Sequence, residues 1–295
     1  MGEPIPAELA LRPLGDLQVS AIGMGAMTLT QVPDADTARG VRAVHAALDA
    51  GVTLFDTADS YGPTEEMGVN ERALIAALRT HPGDLSRVVV ATKGGHTRGP
   101  NATWWIDGSP AHLARAARAS LRRLGLDALP LYQHHRPDPR VPFADSMGAL
   151  RALVDDGIAQ RVGVSNVDSA QLSEAIEIVG PALVSVQNEL SPLAPPAADV
   201  LRQCEAHGLT LLAWGPLGGM REAKALGDRA RAIAAVARAR AVSPQRIALA
   251  WLLRLSPVII PIPGASRPES IVDSAAAAGV VLDDDEMRVL GGAVQ

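Results

Sequence analysis

Gly51-Val52-Thr53-Leu54-Phe55-Asp56-Thr57-Ala58-Asp59-Ser60-Tyr61-Gly62 joins a helix stop, a strand and a polar loop in one short stretch. Gly51 follows Ala50 at the end of a helical period that starts at Thr37, where a left-handed residue closes a helix. Residues 53–56 then read as a short strand, and the segment after them turns polar and ends on a second glycine. Outward from this stretch the same unit recurs along the chain. Strands are predicted at 19–24, 53–56, 88–92, 129–134, 162–165, 183–189, 210–213 and 258–261. Helices are predicted between and after them at 37–50, 70–80, 110–124, 143–156, 169–179, 198–208, 228–255 with a break near Pro244, and 268–278.

Boundary residues agree with this division: Leu124-Gly125, Asp156-Gly157 and His207-Gly208 repeat the helix stop of Ala50-Gly51. Charge-free strands such as Val88-Val89-Val90-Ala91 suit a parallel sheet covered by helices. Both a doubly wound sheet and a closed barrel alternate in this way. The first strand-to-helix turn, Gly23-Met24-Gly25-Ala26-Met27, does not continue into the glycine pattern of a dinucleotide-binding sheet, and eight units account for nearly the whole chain. The expected fold is therefore α/β, a (β/α)8 TIM barrel forming one domain over 1–295. Residues 11–18, with a Gly15-Asp16 turn, are expected to make an N-terminal β-hairpin that closes the barrel bottom.

Composition narrows the partners. A net charge of −5 with scattered arginines gives no basic stripe for nucleic acid. No apolar run approaches the roughly twenty residues of a membrane span, and the first residues lack the pattern of a secretion signal. Cys204 is the only cysteine, which excludes an intrachain disulfide and suits a reducing compartment. A cytoplasmic protein without nucleic-acid or membrane partners is expected; the oligomeric state is not legible. Glu65, Glu66 and Asp283-Asp284-Asp285 lack histidines at ligand spacing, so no metal is expected.

In a (β/α)8 barrel the reactive groups lie at the C-terminal ends of the strands. Polar residues directly after a strand include Asp56, Tyr61, Lys93, His96, His134, His135, Ser165, Asn166, Gln187, Asn188 and Glu189. Asp56, Tyr61, Lys93 and one of the two adjacent histidines come from neighbouring strands and can converge. An ammonium beside a phenol favours the phenolate, so Lys93 is expected to lower the pKa of Tyr61, with Asp56 keeping the lysine charged. Singly, each residue also has a plain structural reading: Asp56 as a turn cap, Lys93 as a loop lysine, Tyr61 as a packed aromatic. Lys93 alone could equally be a Schiff-base nucleophile.

The quoted stretch, followed by Asn70-Glu71, resembles a defining segment of the aldo-keto reductase superfamily. Ala91-Thr92-Lys93, Leu131-Tyr132-Gln133-His134-His135-Arg136-Pro137-Asp138, Arg161-Val162-Gly163-Val164-Ser165-Asn166, Val186-Gln187-Asn188, Trp214-Gly215-Pro216-Leu217 and Ile262-Pro263-Gly264-Ala265-Ser266-Arg267 resemble its later motifs in order, so the resemblance spans nearly the whole chain. It implies an NADPH-dependent reductase that turns an aldehyde or ketone into an alcohol by hydride transfer, with Asp56, Tyr61, Lys93 and His135 as catalytic tetrad and Tyr61 as proton donor. His134 is then a wall residue without a catalytic part.

The resemblance places Ser165, Asn166 and Gln187 on the nicotinamide carboxamide and Trp214 against its ring. Gly215, Leu217 and Gly219 approach the pyrophosphate. Gly264 begins the cofactor-binding segment that opens a helix, where Ser266 and Arg267 come to the 2′-phosphate and Ser270, Asp273 and Ser274 lie near adenine, which favours NADPH over NADH. Ser270 stands where many members carry Arg or Gln, and Ser274 where Asn is common. Trp104, Trp105 and His96, in the loop after the third strand, are expected to wall the site of a small carbonyl substrate.

Overall fold

The computed structural model describes residues 9–194, 197–218 and 231–292. In chain order the elements are β1 (Leu11–Leu14), β2 (Leu17–Ser20), β3 (Met24–Gly25), α1 (Thr37–Asp49), β4 (Leu54–Asp56), α2 (Val69–Arg79), β5 (Val89–Gly94), β6 (His96–Arg98), β7 (Trp104–Ile106), α3 (Pro110–Leu124) and β8 (Leu131–His134). There follow α4 (Phe143–Asp155), β9 (Val162–Ser165), α5 (Ser169–Val179), β10 (Leu183–Glu189), α6 (Ala198–His207), β11 (Thr210–Trp214), α7 (Arg231–Ala239), α8 (Pro244–Leu255), β12 (Ile259–Pro261), α9 (Pro268–Ala275) and α10 (Asp284–Gly292).

Eight strands form one sheet in the order β12-β11-β10-β9-β8-β5-β4-β3, and every neighbouring pair is parallel. The first and last strands then meet: Gly23 N–H donates to the Pro261 carbonyl at 2.9 Å, Gly25 N–H donates to the Pro263 carbonyl at 3.0 Å, and Gly25 bridges Gly264 in parallel. The sheet is thus closed into the expected (β/α)8 barrel, which leaves no free edge among these strands. Gly25 has to be glycine here, because a Cβ would lie 2.8 Å from the Ile262 carbonyl oxygen.

The hairpin forms as expected and closes the bottom. β1 and β2 pair antiparallel around the Gly15-Asp16 turn, with Gly15 at φ 62° as a tight two-residue loop requires. Arg12 reaches under the barrel to the carbonyls of Ser256 (2.7 Å), Leu253 (2.5 Å) and Ile259. Arg161 grips Asp16 in a two-pronged ion pair.

Two regions differ from expectation. The strand predicted at 19–24 is split: Val19 and Ser20 belong to the hairpin, and only Met24 and Gly25 join the barrel. Periodicity could not separate two adjacent apolar pieces that pair with different partners. The loop after β5 folds into a second hairpin, β6–β7. The segment predicted as helix at 228–255 lies partly outside the described residues, and its remainder is two helices, α7 and α8, divided near Pro244 as expected. The break is set by Ala241 at φ 53° and by Ser243, whose hydroxyl caps α8 by accepting from Arg246 N–H with Pro244 in the first turn.

Candidate active site

Side-chain alternation turns the barrel interior into layers. The lower layer is apolar: Leu54, Val89, Ala91, Leu131, Val184, Leu212 and Ile260 pack together with Leu14 and Val19 from the closing hairpin. Nearer the C-terminal strand ends the inward positions are Asp56, Lys93, Gln133, Ser165, Gln187 and Trp214. Asp56, Lys93, Gln133 and Trp214 fall two residues beyond Leu54, Ala91, Leu131 and Leu212, while β10 is shifted by its register irregularity. The same alternation separates the adjacent histidines. His134 is turned toward the helices, its ring 6.1 Å from Phe143, while His135 stands with the inward set and lines the cavity above it.

Lys93 is completely buried and all three ammonium protons are used. Nζ donates to Asp56 Oδ2 at 2.5 Å, to the Thr57 carbonyl at 2.9 Å and to Tyr61 Oη at 3.2 Å. The other carboxylate oxygen of Asp56 accepts from Gln187 Nε2 at 2.8 Å and Gln133 Nε2 at 3.2 Å. Burial acts against the charge on Lys93, but the attraction of Asp56 and Tyr61 prevails and its pKa is raised. The ammonium therefore persists at the barrel mouth.

Tyr61 corrects the expected shift. It is half-buried at the cavity, and the loss of solvent around the phenol raises its pKa more than the ammonium lowers it. Proximity to Lys93 alone suggested a lowered value; the desolvation of a phenolate, invisible in one dimension, outweighs it. Tyr61 is held as the neutral, protonated phenol.

His135 packs edge-on to Tyr61 with ring centroids 5.5 Å apart and stacks on His96 at 4.2 Å. Burial, followed by the charge of Lys93, drives the His135 pKa well below its ordinary value. His96 is lowered to about 4, first by burial and then by Arg136. Both rings are neutral around pH 7.

These groups open into a cavity of about 540 Å³, whose lining includes Tyr61, His96, Trp104, His135, Ser165, Asn166, Gln187, Trp214, Gly215, Leu217 and Gly264. Its polar atoms suit an amide-bearing planar ring. Ser165 Oγ donates to the Gln187 carbonyl (2.7 Å) and Asn166 Nδ2 to the His135 carbonyl (3.0 Å). Among the described residues no hydrogen bond engages Asn166 Oδ1 or Gln187 Oε1. Among the described residues, Trp214 Nε1 is buried and without a partner, as are Thr28 Oγ1 and Gln31 Oε1 in the loop after β3. Orphaned polar atoms around an apolar slot are what an absent polar ligand leaves behind.

Two expected positions are corrected by where their side chains lie. In the β6–β7 hairpin Arg98 pairs with Trp104 and Thr97 with Trp105, so the adjacent indoles point to opposite faces. Trp104 lines the cavity and borders a second groove; Trp105, 57 % exposed, lines that groove alone, with Thr97 and Arg140. Asp273 is engaged by Arg246, which donates from Nη2 at 2.7 Å, and by the Ser243 hydroxyl. Its carboxylate ties α9 to α8. Ser266 is partly exposed and Arg267 and Ser270 are exposed at the start of α9, with Ser274 buried one turn on. Gly219 lies outside the described residues.

Gln133, Arg136, Thr28 and Gln31 also belong to the site and are not among the residues expected from sequence. Gln133 had a usable signal, being polar at an inward position of an apolar strand. Thr28 and Gln31 had none, because they follow a strand whose boundary was misplaced.

The buried His134 allows a test of these surroundings. Burial, with help from His96, lowers its pKa to about 4, and neither ring nitrogen has a partner. As pH falls from about 6.5 toward 4, the unfolded chain takes up a proton there that the folded chain refuses, so this contribution to stability is full above 6.5 and lost on acidification. Asp59, raised by burial and then by Glu71, acts in the opposite sense, so the variant isolates the effect better than the wild-type profile does. His134→Leu should gain about 2 kcal/mol relative to wild type between pH ~7.5 and pH ~5, read by urea unfolding at both values. An unchanged gap would mean that His134 does not stay neutral.

A closed parallel barrel carrying this tyrosine, lysine, aspartate and histidine at its strand ends defines an oxidoreductase of the (β/α)8 class. The chain belongs to the Aldo/keto reductase family, whose sequence pattern matches residues 21–294. It is 35 % identical over 283 residues to a 6-dehydroglucose reductase of Novosphingobium aromaticivorans, covering 92 % of this chain and 91 % of the relative. It is 33 % identical over 292 residues to a pyridoxine 4-dehydrogenase of Escherichia coli, covering 95 % and 96 %. An aldo/keto reductase from Klebsiella pneumoniae, solved in complex with NADP and acetate, superposes with a TM-score of 0.79 at 28 % identity, over 96 % of this chain and 94 % of that one. Among the described residues no helix is long and apolar enough to cross a membrane.

Proposed function

We propose that this chain is an NADPH-dependent reductase of aldehydes or ketones in which Tyr61 is the proton donor. The observation that carries the reading is the buried Lys93 ammonium, shared between Asp56 and the Tyr61 hydroxyl at the cavity floor. When bound, the reduced nicotinamide supplies the hydride that a carbonyl carbon accepts. The chain's own groups do the rest. Tyr61 holds a proton at Oη and gives it to the carbonyl oxygen as negative charge develops there. Lys93 stabilises the phenolate left behind, and Asp56, fixed by Gln133 and Gln187, keeps the lysine in place. Neutral His135 orients the carbonyl oxygen toward Tyr61.

Ser165, Asn166 and Gln187 would hold the carboxamide, with Trp214 against the ring and Gly215 and Leu217 beside the pyrophosphate. Ser266 and Arg267, at the N-terminus of α9, would hold a 2′-phosphate and so favour NADPH over NADH. We read the chain as one domain acting on a small molecule. A cytoplasmic setting suits its one cysteine, Cys204, a buried thiol whose pKa burial pushes up to about 12.

Loss of NADPH absorbance with a panel of aldehydes and ketones tests the reading, and no consumption across the panel would overturn it. In that assay Trp104→Ala should raise KM for an aromatic aldehyde about tenfold by removing a stacking wall. Trp105→Ala, on the far face of the hairpin, should change it by less than about twofold. Equal effects would contradict the assignment of the two faces.

A further inference from the structure

The charged groups lining the cavity do not cancel. Asp56 is matched by Lys93 directly beneath it. Arg136, the residue after His135, also lines the cavity, and among the described residues its guanidinium has no hydrogen bond or ion pair. The nearest acid in sequence, Asp138, is taken: it accepts from Arg140 Nε at 3.0 Å and from Gly108 N–H at 3.1 Å. Arg136 stands on the side of the cavity formed by β8 and the β6–β7 hairpin. There, second only to burial, its charge helps keep His96 neutral. Arg98 adds a second cation on the same side, stacked 4.0 Å from the Trp104 ring and anchored to the Gly62 carbonyl at 3.1 Å. Among the described residues neither guanidinium has an ion pair with a carboxylate.

Resting on the carbonyl-reductase reading, we infer that the substrate carries an anionic group, a carboxylate or a phosphate, which Arg136 receives while Trp104 and His96 flank the body of the molecule. Uncompensated guanidinium at the mouth of an apolar cavity is suited to a planar two-pronged acceptor. Its charge lies beside His135 and His96, where the carbonyl would sit, next to Asn166 at the edge of the cofactor-assigned set, so it is available to the substrate. A neutral carbonyl compound would leave the exposed guanidinium to solvent and forgo its attraction.

Matched pairs of substrates test this. 4-Carboxybenzaldehyde against methyl 4-formylbenzoate serves the carboxylate arm, and glyceraldehyde 3-phosphate against glyceraldehyde the phosphate arm. In the wild type kcat/KM for at least one anionic member should exceed that of its neutral partner by about tenfold or more, carried by KM and weakened by salt. In Arg136→Gln the ratio should fall toward one, while Arg136→Lys should keep most of it. The arm that shows the preference identifies the anion. Turnover of both members of each pair with a ratio near one in the wild type overturns the inference and leaves the reductase reading standing. A ratio that persists in Arg136→Gln also overturns it. No turnover of any member with NADPH removes the reductase reading and the inference together.

Discussion

Tyr61→Phe should lower kcat for carbonyl reduction by about three orders of magnitude while changing the affinity for NADPH by less than about twofold. The substitution removes one oxygen and little else. Lys93 keeps its bonds to Asp56 Oδ2 and the Thr57 carbonyl, and the Tyr61 ring keeps its edge contact with His135. Since burial raises the Tyr61 pKa, the wild-type reduction rate should stay level through neutral pH and fall only in alkaline solution as the phenol ionises. Stopped-flow kinetics with fluorescence titration of NADPH separates the two quantities. Turnover within tenfold of wild type would remove Tyr61 from its role.

Asp56→Asn should be the most costly single change for the folded state, about 3–5 kcal/mol, because it leaves a fully buried ammonium with only neutral acceptors. The reverse deletion is milder: in Lys93→Met the Asp56 carboxylate still accepts from Gln133 and Gln187. Combining Asp56→Asn with Lys93→Met removes both charges and should restore at least half of the lost stability, since what is costly is the unpaired charge and not the absence of the pair. Activity should stay low in all three variants, because each disturbs the proton on Tyr61. Urea unfolding of the four proteins forms the cycle. Additive losses in the double variant would show that the two groups do not act as a pair.

The legibility of the site followed from the rule that reactive groups lie at the C-terminal ends of barrel strands. Once a strand's end is placed, the polar residues there stand out, which brought Asp56, Lys93, Ser165 and Gln187 into view; counting in twos along β8 would have brought in Gln133. Counting fails where a strand is mis-bounded, as at β2 and β3. It also fails where a loop has strand pairing of its own, as in β6–β7, whose register sends Trp104 inward and Trp105 away. Asp273 was misplaced for a related reason. Its helix was correctly expected, but its partner Arg246 lies on another helix, and nothing local announces that contact.

By itself the sequence determined the number and order of the strand-helix units, the glycine stops that end the helices, and the polar residues that must gather at one end of the barrel. These depend on local conformation and on a period of two or near four, both written along the chain. Only the tertiary structure decided which cavity wall each aromatic joins, which acids are already engaged, and that Tyr61 is held protonated despite the ammonium beside it. Those properties are sums over atoms distant in sequence: the solvent withdrawn from a phenol, the charges that reach it, and the partners that other elements bring.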